Sequence, residues 1–298
     1  MTRNGYLSIT LLGVVALLST SGPGLAAESY DSCVGFIDTL PAVINVQGTW
    51  CLRQTLNTSA SNGRMISIET DNVTIDCNRF KIGGLGAGAA TTAVAIGADS
   101  HDKINVRHCT IQGFGEGISI TGTGFGHLVE NNLLDQNRRI AVSIRGAGSI
   151  VRQNTVTNTG GSSTAVDAVG IDSDGDIIDN VVDGISGGTS VTNFSPMGIN
   201  SGIDMSVVAI GVLIQGNRVR NLTPKGASPA FAIHISAGGN LVRDNVVTQP
   251  SSTVGIGIGC PDATSIARDN LVTAYVFDLI VCKDGGGNSL NGGGNSLN

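Results

Sequence analysis

Two short arrangements of hydrophobic and polar positions alternate along this chain almost to its end. The first is apolar, two residues, Asn, one residue, apolar. It is centred on Asn78, Asn132, Asn154, Asn180, Asn217, Asn245 and Asn270, and Cys109 takes the Asn slot in one further copy. The second is an apolar alternation between those motifs: Ile66-Ser67-Ile68, Val94-Ala95-Ile96, Ile118-Ser119-Ile120, Val142-Ser143-Ile144, Val169-Gly170-Ile171, Met197-Gly198-Ile199 and Ile233-His234-Ile235. A period of two predicts strands with one face inward and one outward. Self-similarity repeated every few tens of residues predicts a solenoid of stacked coils, which lengthens by adding coils and needs no second core.

Each coil therefore reads as an alternating strand, a short Gly-rich turn, a strand, an Asn corner, a further strand and a variable loop. The loop absorbs uneven spacing: Asn132 and Asn154 are 22 residues apart, Asn180 and Asn217 are 37 apart. A sharp corner favours a residue that tolerates left-handed backbone, and an Asn amide can also bond the corner backbone or the amides above and below it.

Composition fits this picture. Gly is 43 of 298 residues and charged residues are 13%, a balance that suits short strands and tight turns better than helices. Arg3, an apolar run from Tyr6 to Leu18 and the small residues Gly24-Leu25-Ala26-Ala27 read as a cleaved secretory leader over residues 1–27, too short for a membrane span. No Cys follows to take a lipid anchor, so a soluble, secreted or periplasmic protein is expected. With the repeat as a ruler, stacking pairs Cys33 with Cys51, Cys77 with Cys109, and Cys260 with Cys282, bonds that export permits.

The Asn corners, together with the opening coil Asp71-Asn72-Val73-Thr74-Ile75-Asp76-Cys77-Asn78 and its Gly83-Gly84, resemble the asparagine ladder of right-handed parallel β-helices, the fold of pectate lyases and related polysaccharide enzymes. The resemblance runs from about Trp50 to the C-terminus. It implies an all-β, single-domain right-handed parallel β-helix of about nine coils. The expected divisions are an N-terminal cap at 28–56, with Trp50 in it, the β-helix at 57–284, and a frayed Gly/Asn-rich tail at 285–298. In that tail Gly285 to Asn291 is repeated verbatim as Gly292 to Asn298.

The resemblance also implies a substrate groove along the alternating strand. Aligning coils on their Ile residues gives one outward column of Glu69, Gly97, Thr121, Arg145, Asp172, Asn200 and Ser236, beside another of Ser67, Ala95, Ser119, Ser143, Gly170, Gly198 and His234. At ~4.8 Å per strand, Arg145, Asp172, Asn200 and His234 would fall within about 15 Å. From Gln153 to Asn217 there is no Lys, Arg or His, while Asp167, Asp172, Asp174, Asp176, Asp179, Asp183 and Asp204 concentrate negative charge in the middle coils. Asp172, Asp174 and Asp176 alternate around Gly175, a spacing that can converge oxygens on Ca²⁺ or simply form a turn.

For an enzyme, these residues suggest β-elimination from an acidic polysaccharide. The three aspartates would hold Ca²⁺, Arg145 would meet the substrate carboxylate, His234 would be the base, Asn200 would orient the sugar, and Ser143 and Thr121 would bind it. The fuller active-site motifs of pectate lyases, alginate epimerases and polygalacturonases are absent, and no paired carboxylates suit an inverting hydrolase. Aromatics are only 4% of residues, so no stacking platform for sugars is visible. The competing expectation is a non-catalytic surface solenoid that binds a glycan or a protein. A monomer is expected, and an acidic chain without a basic cluster argues against nucleic acid as partner.

Overall fold

A computed structural model of the protein describes residues 30–164, 168–188, 192–202 and 211–291. The expected leader, Asp167, Asp204 and the second copy of the terminal heptapeptide lie outside the described residues. The chain winds as a right-handed parallel β-solenoid of about nine turns, all-β and single-domain. Its cross-section has three faces. Face A stacks strands such as Val73–Asp76, Asn105–Arg107, Leu128–Glu130 and Ile150–Arg152. Face B stacks Lys81–Gly83, Thr110–Gln112, Leu133–Asp135 and Thr155–Gly160. Face C carries the alternating strands, among them Arg64–Ile68, Val94–Asp99, Glu116–Thr121, Ile140–Ile144, Val169–Ser173, Met197–Ser201 and Ala230–Ile235.

Like side chains stack on like because each strand pairs in parallel with its counterpart one coil away. On face A, Val106, Val129, Val151 and Ile177 form one buried row. On face B, Ile111, Leu134, Val156 and Val182 form another. Ile96, Ile118, Val142, Ile171, Ile199 and Ile233 line face C from within. Each fully buried aliphatic side chain contributes roughly 2 kcal/mol, and β-branched residues suit the pleated, tightly repeated surface.

The corner between faces A and B divides the two tasks that the sequence assigned to Asn alone. The left-handed residue is the one before the Asn: His108, Asn131, Gln153, Asp179, Gly216, Asp244, Asp269 and Gly287 have φ between 54° and 71°. The Asn that follows turns inward and bonds along the axis. Asn132, Asn154, Asn180, Asn217, Asn245 and Asn270 each donate Nδ2 to the Oδ1 of the next Asn at 3.0–3.1 Å. The same Oδ1 accepts the preceding coil's backbone N–H, beginning with Cys109 N to Asn132 Oδ1 at 2.9 Å. Asn78 is not a rung. Four residues separate its flanking strands, against two in the next coil, and its Nδ2 donates to Leu52 O. The Cys77–Cys109 disulfide ties that first corner instead.

The Cys33–Cys51 and Cys260–Cys282 bonds also form, as stacking predicts. Strand Cys33–Ile37 pairs with Gly48–Leu52, which pairs with Val73–Asp76, so the segment expected as a cap is itself in register with face A. No helix among the described residues is long and apolar enough to cross a membrane.

The first copy of the terminal heptapeptide is not frayed. Ser289–Asn291 pairs with Leu271–Thr273, Leu290 packs on the core, and Asn288 Oδ1 accepts both Asn270 N and Asn270 Nδ2 at 3.0 Å. Composition alone suggested a loose tail, but Gly287-Asn288 reproduces the left-handed residue and rung of the six Asn corners before it. Deleting 285–298 should therefore cost about 2–3 kcal/mol, because two donors lose their acceptor and Leu290 its packing, whereas deleting 292–298 should cost far less. Urea unfolding midpoints of the two truncations decide this, and equal losses would refute it.

Candidate functional site

Strand register on face C corrects the outward columns. The pairings run Ser67, Gly97, Ser119, Ser143, Asp172, Asn200, His234. Asp99 pairs with Thr121, and Arg145 follows Ile144 as Thr121 follows Ile120, so Arg145 belongs one column over from Asp172. Three coils are displaced by two residues from the sequence alignment. The reason is chemical. The second inward position holds Ile120 and Ile144 in two coils but the buried Ser173 and Ser201 in the next two, so matching the first apolar pair slides those strands along.

The corrected register brings Asp172, Asn200 and His234 onto adjacent rungs, where they bond in series. Asn200 Nδ2 donates to Asp172 Oδ1 at 3.0 Å, which leaves Asn200 Oδ1 to accept from His234 Nδ1 at 2.9 Å. Arg145 Nη2 holds the other Asp172 oxygen at 2.5 Å, and Arg145 Nη1 lies 3.8 Å from Asp174. Ser236 Oγ is 3.4 Å from His234 Nδ1, and the Phe231 ring stands edge-on to the imidazole. Since the Asn200 oxygen needs a proton from Nδ1, the neutral imidazole is the Nδ1–H tautomer, with Nε2 as acceptor. Burial pushes the His234 pKa below the ordinary histidine value, which favours that neutral form. Asp172 and Asn200 are each only 1% exposed, so they are not the solvent-facing residues the alternation implied. Ser143 stands one rung before Asp172 in the same column, itself buried, while Thr121 stands in the column of Arg145.

The three aspartates expected to converge on Ca²⁺ do not fit one ion. Asp172 is committed to Arg145 and Asn200. The chain turns at Gly175, so Asp176 opens the next strand on face A, where its Oδ1 accepts Leu213 N at 2.9 Å. Among the described residues no group of three His, Cys, Asp or Glu side chains is placed to hold a metal ion.

Two features escaped the sequence. His127, 1% exposed, fills a corner between faces C and A: its Nδ1 accepts Ile104 N at 3.2 Å, and desolvation lowers its pKa to about 4. A cleft of about 390 Å³ opens beside the start of the face C strands, lined by Thr91, Thr92, Glu116, Arg139, Ser162 and Thr164. The one available signal for it was Arg138-Arg139, the only adjacent pair of arginine or lysine residues in the chain.

No family model matches the sequence, and no curated protein does. Solved structures similar in shape include the tailspike protein gp49 of Acinetobacter baumannii bacteriophage Fri1, a capsular polysaccharide depolymerase, at 11% identity over 80% of this chain and 42% of that one, with a TM-score of 0.47. The tailspike protein of E. coli bacteriophage HK620, in complex with a pentasaccharide, has 14% identity over 82% of this chain and 52% of that one, with a TM-score of 0.39. The A-module of Azotobacter vinelandii mannuronan C-5 epimerase AlgE4 has 10% identity over 92% of this chain and 87% of that one, with a TM-score of 0.33. The chain spans about half the length of the two tailspikes. At such TM-scores the fold assignment rests on the strand register of this chain.

Proposed function

We propose that this is an exported β-helix protein that acts on an extracellular polysaccharide along face C, with His234 as proton acceptor. The observation that carries the reading is the series Asp172, Asn200, His234, in which a carboxylate fixes an amide and the amide fixes the imidazole tautomer. Such an arrangement orients a base without charging it, the logic by which catalytic histidines are held by a third group. Three disulfides and an apolar N-terminal segment ending in small residues support export.

The reaction this base supports is β-elimination from a uronate chain. His234 Nε2 takes the proton next to the sugar carboxylate, a carbon–carbon double bond forms, the neighbouring glycosidic C–O bond breaks, and the departing oxygen takes a proton from water. Arg145 orients Asp172 and meets the substrate carboxylate with the 14% of its side chain that remains exposed. Thr121 bonds a sugar hydroxyl, and Asn200, Asp172 and the buried Ser143 are positioning residues.

Incubation with a panel of acidic and neutral polysaccharides tests this, read by the ultraviolet absorbance of unsaturated ends. His234→Gln should lose about 10²- to 10⁴-fold in kcat. The acid limb of the pH–rate profile should fall below the usual histidine pKa, because burial lowers that of His234. Glycan binding without new ends would assign the non-catalytic role that the deep burial of Asp172 and Asn200 favours. Absence of both binding and cleavage across the whole panel would overturn the proposal.

A further inference from the structure

We infer that the cleft at Glu116 and Arg139 is a separate binding site for a sugar unit bearing a carboxylate. It is made by four successive coils. Thr91 and Thr92 precede one face C strand, Glu116 opens the next, Arg139 precedes the third, and the loop with Ser162 and Thr164 leads into the fourth. That loop reaches back across the two intervening rungs, where Ser163 N donates to Ala89 O at 3.0 Å. The result is a strap over a hollow of about 390 Å³, within the range of roughly 300–1,000 Å³ typical of small-molecule sites.

Its lining matches a sugar. Four hydroxyl side chains surround one ion pair, Glu116 with Arg139. Arg138, next to Arg139 but outside the lining, brings a second guanidinium against the base of the strap: its Nη1 lies 3.9 Å from where a Cβ on Gly161 would stand, one residue before Ser162. Among the described residues Arg138 has no carboxylate in ion-pair range, and its buried Nε has no hydrogen-bond partner. Two arginines against one glutamate leave a positive surplus, which a ligand carboxylate would balance through paired N–H donors. Among the described residues the His234 cluster has the opposite balance, with one arginine against Asp172 and Asp174. Glu116 pairs through Ile140, Val169 and Met197 to Phe231, four rungs or about 19 Å from the strand that carries His234. A chain held by an acidic unit in the cleft would run along face C toward it.

Galacturonate and galactose differ only in the carboxylate, and binding of each free sugar, followed by saturation-transfer NMR, tests the site without requiring turnover. Galacturonate should bind at least tenfold more tightly than galactose, and more weakly as salt is raised. The double variant R138Q/R139Q should reduce galacturonate to the galactose level. Thr92→Gln, a substitution on an exposed residue that extends into the hollow, should weaken both sugars and decides the matter if the arginine variant does not fold. Equal affinity for the two sugars, or galacturonate binding unmoved by these variants, overturns the inference. Failure to cleave polysaccharide with galacturonate binding intact would refute only the catalytic reading.

Discussion

Asn180→Ala is expected to lose about 3–5 kcal/mol of stability, more than any surface change in this protein. Asn180 Oδ1 accepts both Asn154 N at 2.9 Å and Asn154 Nδ2 at 3.1 Å, while its own Nδ2 donates to Val151 O and Asn217 Oδ1. All of these groups are buried where water cannot replace the lost partner. Each orphaned donor costs about 1–3 kcal/mol, and two lose their acceptor at once. Asn180→Asp keeps the accepting oxygen but sets its second oxygen against Val151 O and Asn217 Oδ1, so it should not rescue the rung. Asn288→Ala, at the half-exposed end of the ladder, should cost much less, since water reaches that corner. Urea denaturation of the three variants measures this order, and an Asn180→Ala midpoint equal to that of Asn288→Ala would show that the ladder bears little of the stability.

The ladder also explains why so much of the fold can be read from the chain. Each corner requires an Asn at a fixed distance from an inward aliphatic residue, so a local motif reports a non-local contact. Where the requirement is looser, the reading slips. The left-handed position takes Asn, Gln, Asp, His or Gly because it needs only a tolerated φ, and so it leaves no signature of its own. Gly216 fills it where a Cβ would run into the Asp179 carboxylate one coil away. On face C the buried Ser173 and Ser201 replace aliphatic residues, which hides the register by two positions and conceals that His234, Asn200 and Asp172 share a column. The acid-rich middle coils were legible as charge but not as geometry, because one turn at Gly175 sends Asp176 to a different face. Beyond the Arg138-Arg139 pair the cleft left no trace in the sequence, since a variable loop closes it and carries no period.

Acid should destabilise the protein well before its carboxylates protonate, and His127 is the main cause. In the unfolded chain a histidine takes up its proton near pH 6.5, whereas burial holds the folded His127 neutral down to about pH 4. Between those values the unfolded chain binds more protons, so stability is fully present above pH 6.5 and is lost as pH falls toward 4. A depression of that size corresponds to about 3 kcal/mol. The neighbouring Asp102 charge opposes the shift without cancelling it. His234, also held low by burial, adds loss of the same sign. The aspartates with lowered values, Asp71, Asp135 and Asp262, lose their contribution as pH falls through the ordinary carboxylate value of 3.8, so most of the histidine window lies above theirs. The fold itself supplies the diagnostic substitution. Asn240 occupies the corresponding corner in a later coil, where its Oδ1 accepts Val212 N at 2.9 Å as His127 Nδ1 accepts Ile104 N. His127→Asn should therefore preserve the fold at neutral pH and flatten the fall in Tm between pH 6.5 and 4. His234→Asn in the same background should remove what remains. A parent and a His127→Asn variant with parallel Tm curves through that window would show that the buried imidazole does not govern acid lability.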